Sequence, residues 1–428
     1  MHPEIQQRKP DSQPEIRFAM ISNKQAQKHE NGPEARAVRI LFVVGTLELG
    51  GAEDLVSNWC VLLKEWGFDC HVLCLLGRRG PHVERLEAIG VPISALPEGT
   101  GHGLRFIREY ATIVRGIRPN IVHSQCAWSL PQQTLAVMLG GTRHMVLTVH
   151  NTYPRGSPLQ RIRRVLGFRL ASRRLSRIVG VSRAVSDHAR NWWAVPTDRI
   201  VTIPNGIWLD RFLAAPGSRD DARALLGFPL SGTLVASVAS FCTQKDHRTL
   251  LSAAAILAPR FPQLRWVMVG DGPLREQTEQ DAAQLHLADH IAFLGKRTDV
   301  PRILHACDMF ASSSRWEGLP LAVVEAQAAA LPVVATQVGG IPDIVEHGKT
   351  GFLIPPEKPE ALAEVIATLA ANPDRAARMG AAGREKAAAQ FDIRKCARQY
   401  AELYRDVLNG KRLAENARDT ESIANAGP

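Results

Sequence analysis

Two glutamates eight positions apart, Glu317 and Glu325, stand in the stretch of this chain best suited to chemistry, Ser-Ser-Ser-Arg-Trp-Glu-Gly-Leu-Pro-Leu-Ala-Val-Val-Glu from Ser312 to Glu325. The apolar run before it reads as a strand that ends at the serines, and Glu317 and Gly318 read as a loop. Pro320 suits the first turn of a helix, because the N–H it lacks would have had no partner there. The free amides of Leu319, Leu321 and Ala322 then form an anion site that the helix dipole favours. The two carboxylates bracket a phosphate at that site, Glu317 from the loop toward a sugar and Glu325 toward ribose hydroxyls. An isolated pair at this spacing is ordinarily a helix start with two surface glutamates, so its neighbours must carry the case. Gly50 and Gly51 mark a second candidate, a turn where the missing Cβ lets the backbone approach a phosphate or an acceptor closely; a plain strand-to-helix turn is the competing reading.

The elements needed to position such groups are legible on both sides. From Val38 short β-rich apolar runs alternate with helical stretches: 38–45 then 52–66, 70–75 then 82–89, 121–124 then a helix through 135, 145–149 then a basic helix, 178–181 then 186–193. Strands that are apolar throughout and alternate with helices imply a parallel sheet covered on both faces. After Ile203-Pro204-Asn205-Gly206 the alternation restarts, with strands at 234–239, 265–270, 291–294, 309–312, 333–336 and 351–354. The reading is an α/β chain of two Rossmann-like, doubly wound parallel-sheet domains facing a central cleft, where ligands of open α/β sheets bind. Residues 36–205 form the first domain and 206–390 the second. A last helix at 392–408 packs back near the first domain. A disordered tail (1–35) and a polar tail (409–428) flank them.

At 428 residues, 45% apolar and 22% charged, the composition is ordinary for a globular chain of two domains. No run approaches the roughly 18 apolar residues of a membrane span, and the N-terminus lacks the apolar segment of a signal peptide. Seven scattered cysteines without a C-x-x-C pair disfavour a disulfide framework or zinc site and point to a reducing, cytoplasmic compartment. The net charge of +10 is uneven: residues 36–205 hold 22 basic and 11 acidic groups, residues 206–428 hold 25 and 26. From Tyr110 to Ser186 there is no Asp or Glu. Such asymmetry points to an anionic surface or substrate in the first half. Nucleic acid is disfavoured as that partner, because the arginines lack interleaved aromatics or a reader motif. Dinucleotide, P-loop and D-x-D signatures are all missing, which weakens dehydrogenase, P-loop and metal-dependent nucleotide-sugar readings.

The motifs around Glu317 and Glu325 carry a resemblance. Leu331 to Thr336, Val338-Gly339-Gly340-Ile341-Pro342-Asp343 and Gly348-Lys349-Thr350-Gly351 follow them; Gln244-Lys245-Asp246-His247, Val269 to Leu274 and Phe293-Leu294-Gly295 precede them. In the first half stand Leu49-Gly50-Gly51-Ala52-Glu53, Val122-His123-Ser124, Thr148-Val149-His150 and Gly180-Val181-Ser182. In this order, across 38–405, they resemble the retaining glycosyltransferases of family 4, which have the GT-B fold. The resemblance implies transfer of a sugar from a nucleotide diphosphate-sugar to a glycan acceptor, lipid-linked by preference. It implies no cofactor and no metal, with the departing phosphate oxygen taking the acceptor proton on the same face. Lys245 becomes the cation for the leaving diphosphate, and His150 is assigned to the donor sugar's hydroxyls and the reaction centre.

The chain departs from the family pattern at several points. Ser240 stands where an arginine is usual, so either one diphosphate cation is missing or Arg297 or Arg315 replaces it. Ala330 replaces a glycine, Asp343 a glutamate, and Trp208 an aspartate. The departure at Ser240 keeps a second reading in play, an inactive donor-binding partner subunit; a nucleotide-sugar epimerase fits the motif set less well. The arginine-rich segment 155–177 sets Leu159, Ile162, Val165, Leu166 and Leu170 at helical spacing among Arg161, Arg163, Arg164, Arg169, Arg173 and Arg174, with Gly167 expected to interrupt the helix. One expectation is a helix resting peripherally on an anionic membrane surface or meeting the acceptor, the arginines at the headgroups. The other is an ordinary sheet-covering helix with a solvated basic face.

Overall fold

Apolar, β-branched runs flanked by loops build two parallel sheets in the computed structural model, which describes residues 37–48, 50–77, 80–151, 158–193, 195–213 and 217–411, and for 158–164 and 192 the backbone alone. The expected tail at 1–35 lies outside the described residues, as does all but the first three residues of 409–428.

The first sheet comprises β1 (Arg39–Val44), β2 (Asp69–Cys74), β3 (Ile93–Ala95), β4 (Ile121–Ser124), β5 (His144–Val149), β6 (Arg177–Gly180) and β7 (Ile200–Thr202). Its helices are α1 (Gly51–Glu65), α2 (His82–Ala88), α3 (Leu104–Ile117), α4 (Leu130–Leu139), α5 (Pro158–Ser172) and α6 (Arg183–Trp193). After α7 (Asp210–Leu213) and α8 (Arg219–Leu226), the second sheet comprises β8 (Leu234–Val238), β9 (Arg265–Val269), β10 (Ile291–Gly295), β11 (Met309–Ser312), β12 (Val333–Thr336) and β13 (Gly351–Ile354). Its helices are α9 (His247–Leu257), α10 (Arg275–Gln284), α11 (Val300–Ala306), α12 (Leu321–Ala328), α13 (Ile341–Ile344), α14 (Pro359–Ala370) and α15 (Pro373–Gln390). Helix α16 (Ile393–Leu408) is the last described element.

Strand order is β3-β2-β1-β4-β5-β6-β7 in one sheet and β10-β9-β8-β11-β12-β13 in the other, every pair parallel. Each order reverses once, between β1 and β4 and between β8 and β11. At such a reversal the neighbouring loops diverge to opposite faces and leave a crevice beyond the carboxyl strand ends. Short strands β3 and β7 escape a reading by apolar runs, because three residues carry too little period.

Helix α16 belongs spatially to the first sheet. Its Ile393, Ala397, Tyr400, Tyr404 and Val407 join the core with Trp59 of α1 and Ile40, Phe42 and Ile121 of the strands. Full burial of each large side chain contributes about 2 kcal/mol. The two passages between domains are tied where they cross: the Ile207 amide donates to the Phe391 carbonyl (2.9 Å) and the Ile393 amide to the Ile207 carbonyl (3.0 Å). Gly206 lies so close to the Ile393 backbone that a Cβ would overlap it.

Candidate active site

The reversal in the second sheet sets two loops side by side. Lys245 ends the 3-10 turn Thr243–Lys245 after β8, and Glu317 follows β11. Lys245 Nζ donates to Glu317 Oε1 at 2.5 Å, Ser314 Oγ to the same oxygen at 2.7 Å, and Gln244 Nε2 to Oε2 at 3.1 Å. Ser313 Oγ stitches the loops by donating to the carbonyls of Lys245 and Asp246. Glu317 is only 4% exposed, so its charge would be costly without these three donors. A narrow pocket lined by Ser237, Ala239, Lys245, Ser312, Glu317 and Ala322 opens beside the pair. An anion entering it meets a fixed cation held by a single carboxylate.

Helix α12 starts at Leu321. Pro320, at φ −72° and ψ 113°, flanks the helix in an extended conformation instead of occupying its first turn. The Val323 amide turns back to the Pro320 carbonyl at 3.2 Å, which leaves the amides of Leu321 and Ala322 as the helix-start donors; Leu319 and Gly318 precede them in the loop. Glu325 lies one turn deeper and half-buried. Burial pushes its carboxyl up to about 7; Arg211 opposes the shift and Asp54 of α1 adds to it. The α1 carboxylate and Glu325 are thus near enough to repel.

Across the cleft His150 immediately follows β5. Its Nε2 lies 2.8 Å from Gln125 Oε1, and burial lowers the imidazole to about 4, so the ring is neutral at pH 7. The second domain packs directly on this residue: a Cβ on Gly318 would overlap the His150 carbonyl oxygen, and one on Gly340 would overlap the Gly318 carbonyl and approach Ser182. Arg183 at the start of α6 donates to Asp343 of α13 through its backbone amide (2.7 Å) and Nε (2.8 Å). The cleft is closed at this point by backbone contact and a clasp of charge. Asn151, next to His150, buries an Oδ1 that finds no hydrogen-bond partner. Nothing in the sequence pattern singled it out. Gly50 caps α1 and Gly51 opens it, with the Glu53 carboxylate folded back over Gly50 and raised by burial. His123, the other histidine at a strand end, is fully buried.

Known proteins match both halves. The family model for glycosyltransferase family 4 matches residues 49–211, and that for glycosyl transferases group 1 matches residues 218–386. An alpha-maltose-1-phosphate synthase of Mycolicibacterium smegmatis is 32% identical over 310 residues, 67% of this chain and 79% of that protein. The chain is a group 1, family 4 glycosyltransferase. A GDP-mannose-dependent alpha-(1-6)-phosphatidylinositol monomannoside mannosyltransferase of Mycobacterium tuberculosis is also 32% identical to this glycosyltransferase, over 59% of this chain and 67% of that one. Anabaena HepE in complex with UDP superposes with a TM-score of 0.73 at 22% identity, covering 86% and 99% of the two chains, and WaaG, a lipopolysaccharide glycosyltransferase, with 0.70 at 17% over 85% and 99%. The fold is GT-B.

Several expected groups of this glycosyltransferase are held by partners other than the Lys245–Glu317 pair. Ser240 is exposed, its Oγ 3.7 Å from Cys242 Sγ. Arg297 is held by both oxygens of Asp299, each at 2.8 Å, and Arg315 by Glu357 at 2.8 Å and Asp246 at 3.6 Å. Each would have to leave a carboxylate to serve a diphosphate. Ala330 adopts φ +60°, a left-handed conformation that favours glycine. Trp208 donates from Nε1 to Asn58 and carries Arg394 over its ring at 4.8 Å, in place of an aspartate's charge.

The arginine segment differs from expectation. Helix α5 runs unbroken through Gly167, whose missing Cβ accommodates Pro131 of α4. Phe168 and Ala171 face the core while Leu166 (60%) and Leu170 (70%) are exposed, because the buried stripe falls on the opposite side of the helix from these leucines. Arg169, Arg173 and Arg174 are exposed as well. The side chains of Leu159, Ile162, Arg161, Arg163 and Arg164 lie outside the described residues. No helix among the described residues is long and apolar enough to cross a membrane.

Proposed function

We propose that this glycosyltransferase transfers a sugar from a nucleotide diphosphate-sugar to a lipid-linked glycan, with retention of configuration and without a metal. The reading rests on one observation above others: the Lys245–Glu317 pair, its carboxylate buried, in the loops just before α12, with the adjoining Gly318 packed on His150 across a closed cleft. A GDP-mannose-dependent relative and a structural neighbour in complex with UDP support a nucleotide-linked donor.

In this reading the diphosphate takes Glu317's place on Lys245 and meets the amides of Leu321 and Ala322. Fixed donors aimed at the leaving group stabilise charge as it develops and need no reorganisation at the moment of reaction. The freed Glu317 turns to the sugar, Glu325 to the ribose, and His150 to a sugar hydroxyl. A phosphate oxygen then receives the acceptor's proton, so positioning supplies most of the rate. Ser240 favours the competing reading of a donor-binding subunit without activity; slow donor hydrolysis by the isolated protein excludes it.

For the acceptor, α5 exposes Leu166 and Leu170 together with Arg169, Arg173 and Arg174, and the contacting α4 exposes Leu135, Met138 and Leu139. Such a surface suits peripheral attachment to an anionic membrane at its cytoplasmic face, where each cation contributes about 1 kcal/mol. A thermal-shift panel of UDP-, GDP- and ADP-sugars identifies the donor. Turnover with that donor in excess EDTA, with the product anomer assigned by NMR, then tests the chemistry. Inversion, or activity restored only by magnesium or manganese, contradicts it. Sedimentation with anionic liposomes, comparing wild type with Arg161, Arg163, Arg164, Arg173 and Arg174 changed to Gln at low and high salt, tests the surface; equal, salt-insensitive behaviour removes the membrane.

A further inference from the structure

A line of buried polar groups runs from His150 to the last helix. Gln125 follows β4 and is 8% exposed. Its Oε1 lies 2.8 Å from His150 Nε2, and its Nε2 lies 3.1 Å from His123 Nε2. His123, with no exposed surface, places Nδ1 2.6 Å from the Tyr404 hydroxyl and Nε2 2.7 Å from Thr148 Oγ1, which in turn lies 3.2 Å from the Tyr400 hydroxyl. Tyr400 and Tyr404 belong to α16, whose first residue is bonded to Ile207 at the crossover between domains.

An amide can fix protons along such a line, because its oxygen only accepts and its nitrogen only donates. With Oε1 toward His150, that ring must carry its proton on Nε2. With the amide nitrogen toward His123, the Nε2 of that ring must be bare. The His123 proton then sits on Nδ1 and is donated to Tyr404. Thr148 donates to the bare Nε2 and accepts from Tyr400. In this pattern the single lone pair of His123 Nε2 is shared between the Gln125 amide and the Thr148 hydroxyl. Burial lowers His123 to about 3 and His150 to about 4, so neither ring takes a second proton near neutrality. Trp59 stacks on His123 at 6.0 Å and 9°, which restrains the ring's plane.

We infer that Gln125 and His123 are positioning residues that hold His150 in the Nε2–H tautomer and couple it through Tyr404 to the crossover helix α16. The tautomer leaves Nδ1 as the ring's acceptor for a hydroxyl of the donor sugar. This step rests on the proposed role of His150, while the coupling itself does not. Because α16 starts where the chain returns from the second domain, the geometry of the crossover and the proton position on His150 become one system. A polar line this long is expensive to bury unless all members are satisfied, and His150 is the end of it that is half-exposed.

The test is long-range proton–nitrogen NMR of the full chain with 15N-labelled histidine, His150 and His123 being assigned by their loss in His150→Ala and His123→Asn. The expected wild-type result is His150 protonated on Nε2 and His123 on Nδ1. Gln125→Met, of similar volume, should leave His150 as a mixture of both tautomers. Tyr404→Phe should do the same to both rings. A His150 protonated on Nδ1 in wild type, or one whose signals ignore Tyr404→Phe, overturns the proposal. With the donor identified, Gln125→Met should lower kcat roughly ten-fold with KM within about two-fold, and should add nothing in a His150→Ala background. Full turnover in His150→Ala would sink the role of His150 in the proposed function and leave the tautomer result standing.

Discussion

In the second domain the groups that face the cleft come from two adjacent loops, 243–246 and 313–322, joined to one another by Ser313 and by the Lys245–Glu317 pair. In the first domain they come from places far apart in the chain, the helix start at Gly50 and His150 after β5, and His150 is backed by Gln125 after β4 and by the buried tyrosines of α16. Both sheets use the same device, a strand-order reversal that opens a crevice. They differ in how the crevice is furnished. The second domain presents charge held by short-range contacts, and its charges balance overall; the first presents neutral, buried imidazoles and an outer face rich in arginine and exposed leucine. A ligand with a charged end and an uncharged reacting end fits that division.

The largest effect should follow from removing the charge in the second domain. Glu317→Gln leaves Lys245 without its counter-ion and, on the proposed placement of the donor, removes the carboxylate that would hold the sugar. Turnover should fall at least about 100-fold while nucleotide affinity changes little; near-normal turnover at saturating donor would misplace the sugar. Next is the backbone contact that joins the two domains. Gly318→Ala must push His150 and α12 apart, and turnover should fall about 10- to 100-fold with the circular dichroism spectrum unchanged. Retained turnover would mean that this contact is dispensable for chemistry.

The Glu325 carboxyl offers a pH test centred on the second domain, with Asp54 of α1 contributing from the first. Its folded value, about 7, lies above the ordinary 4.5. The folded state therefore holds the proton to higher pH than the unfolded state does, and stability falls as pH rises from about 4.5 through 7, by about 2 kcal/mol after allowance for partial exposure. Glu325→Gln should flatten that part of a stability–pH curve relative to wild type, as read by denaturant melts; identical curves would contradict the buried carboxyl. The smallest effect concerns Ala330. Glycine at φ +60° relieves about 1 kcal/mol of backbone strain, so Ala330→Gly should raise the melting temperature by a few degrees without altering turnover.

These contrasts explain what the sequence made visible. All six strands of the second sheet and the segment from Ser312 to Glu325 are readable in order, because each is a contiguous apolar run or a contiguous motif. His150 is readable as a residue that ends a strand. Gln125 and Tyr404 are not, because their significance lies in contacts across as many as 281 positions of chain, as between His123 and Tyr404. The direction in which the leucines of α5 face is not legible for a related reason. Val165, Leu166 and Leu170 lie at helical spacing, yet period alone cannot choose which stripe meets the sheet, and the bulky Phe168 took the inner side. Gly167 looked like an interruption until its close approach to Pro131 supplied a reason for a residue without a Cβ.

The division of labour between the domains is tested most directly by calorimetric binding of UDP and GDP to wild type, Lys245→Ala and His150→Ala. The account predicts that one of the nucleotides binds wild type, that Lys245→Ala weakens it by at least about ten-fold through loss of a charge-assisted contact, and that His150→Ala leaves it within about two-fold. Equal weakening by both substitutions, or none by Lys245→Ala, would contradict a donor held by the second domain and completed by the first.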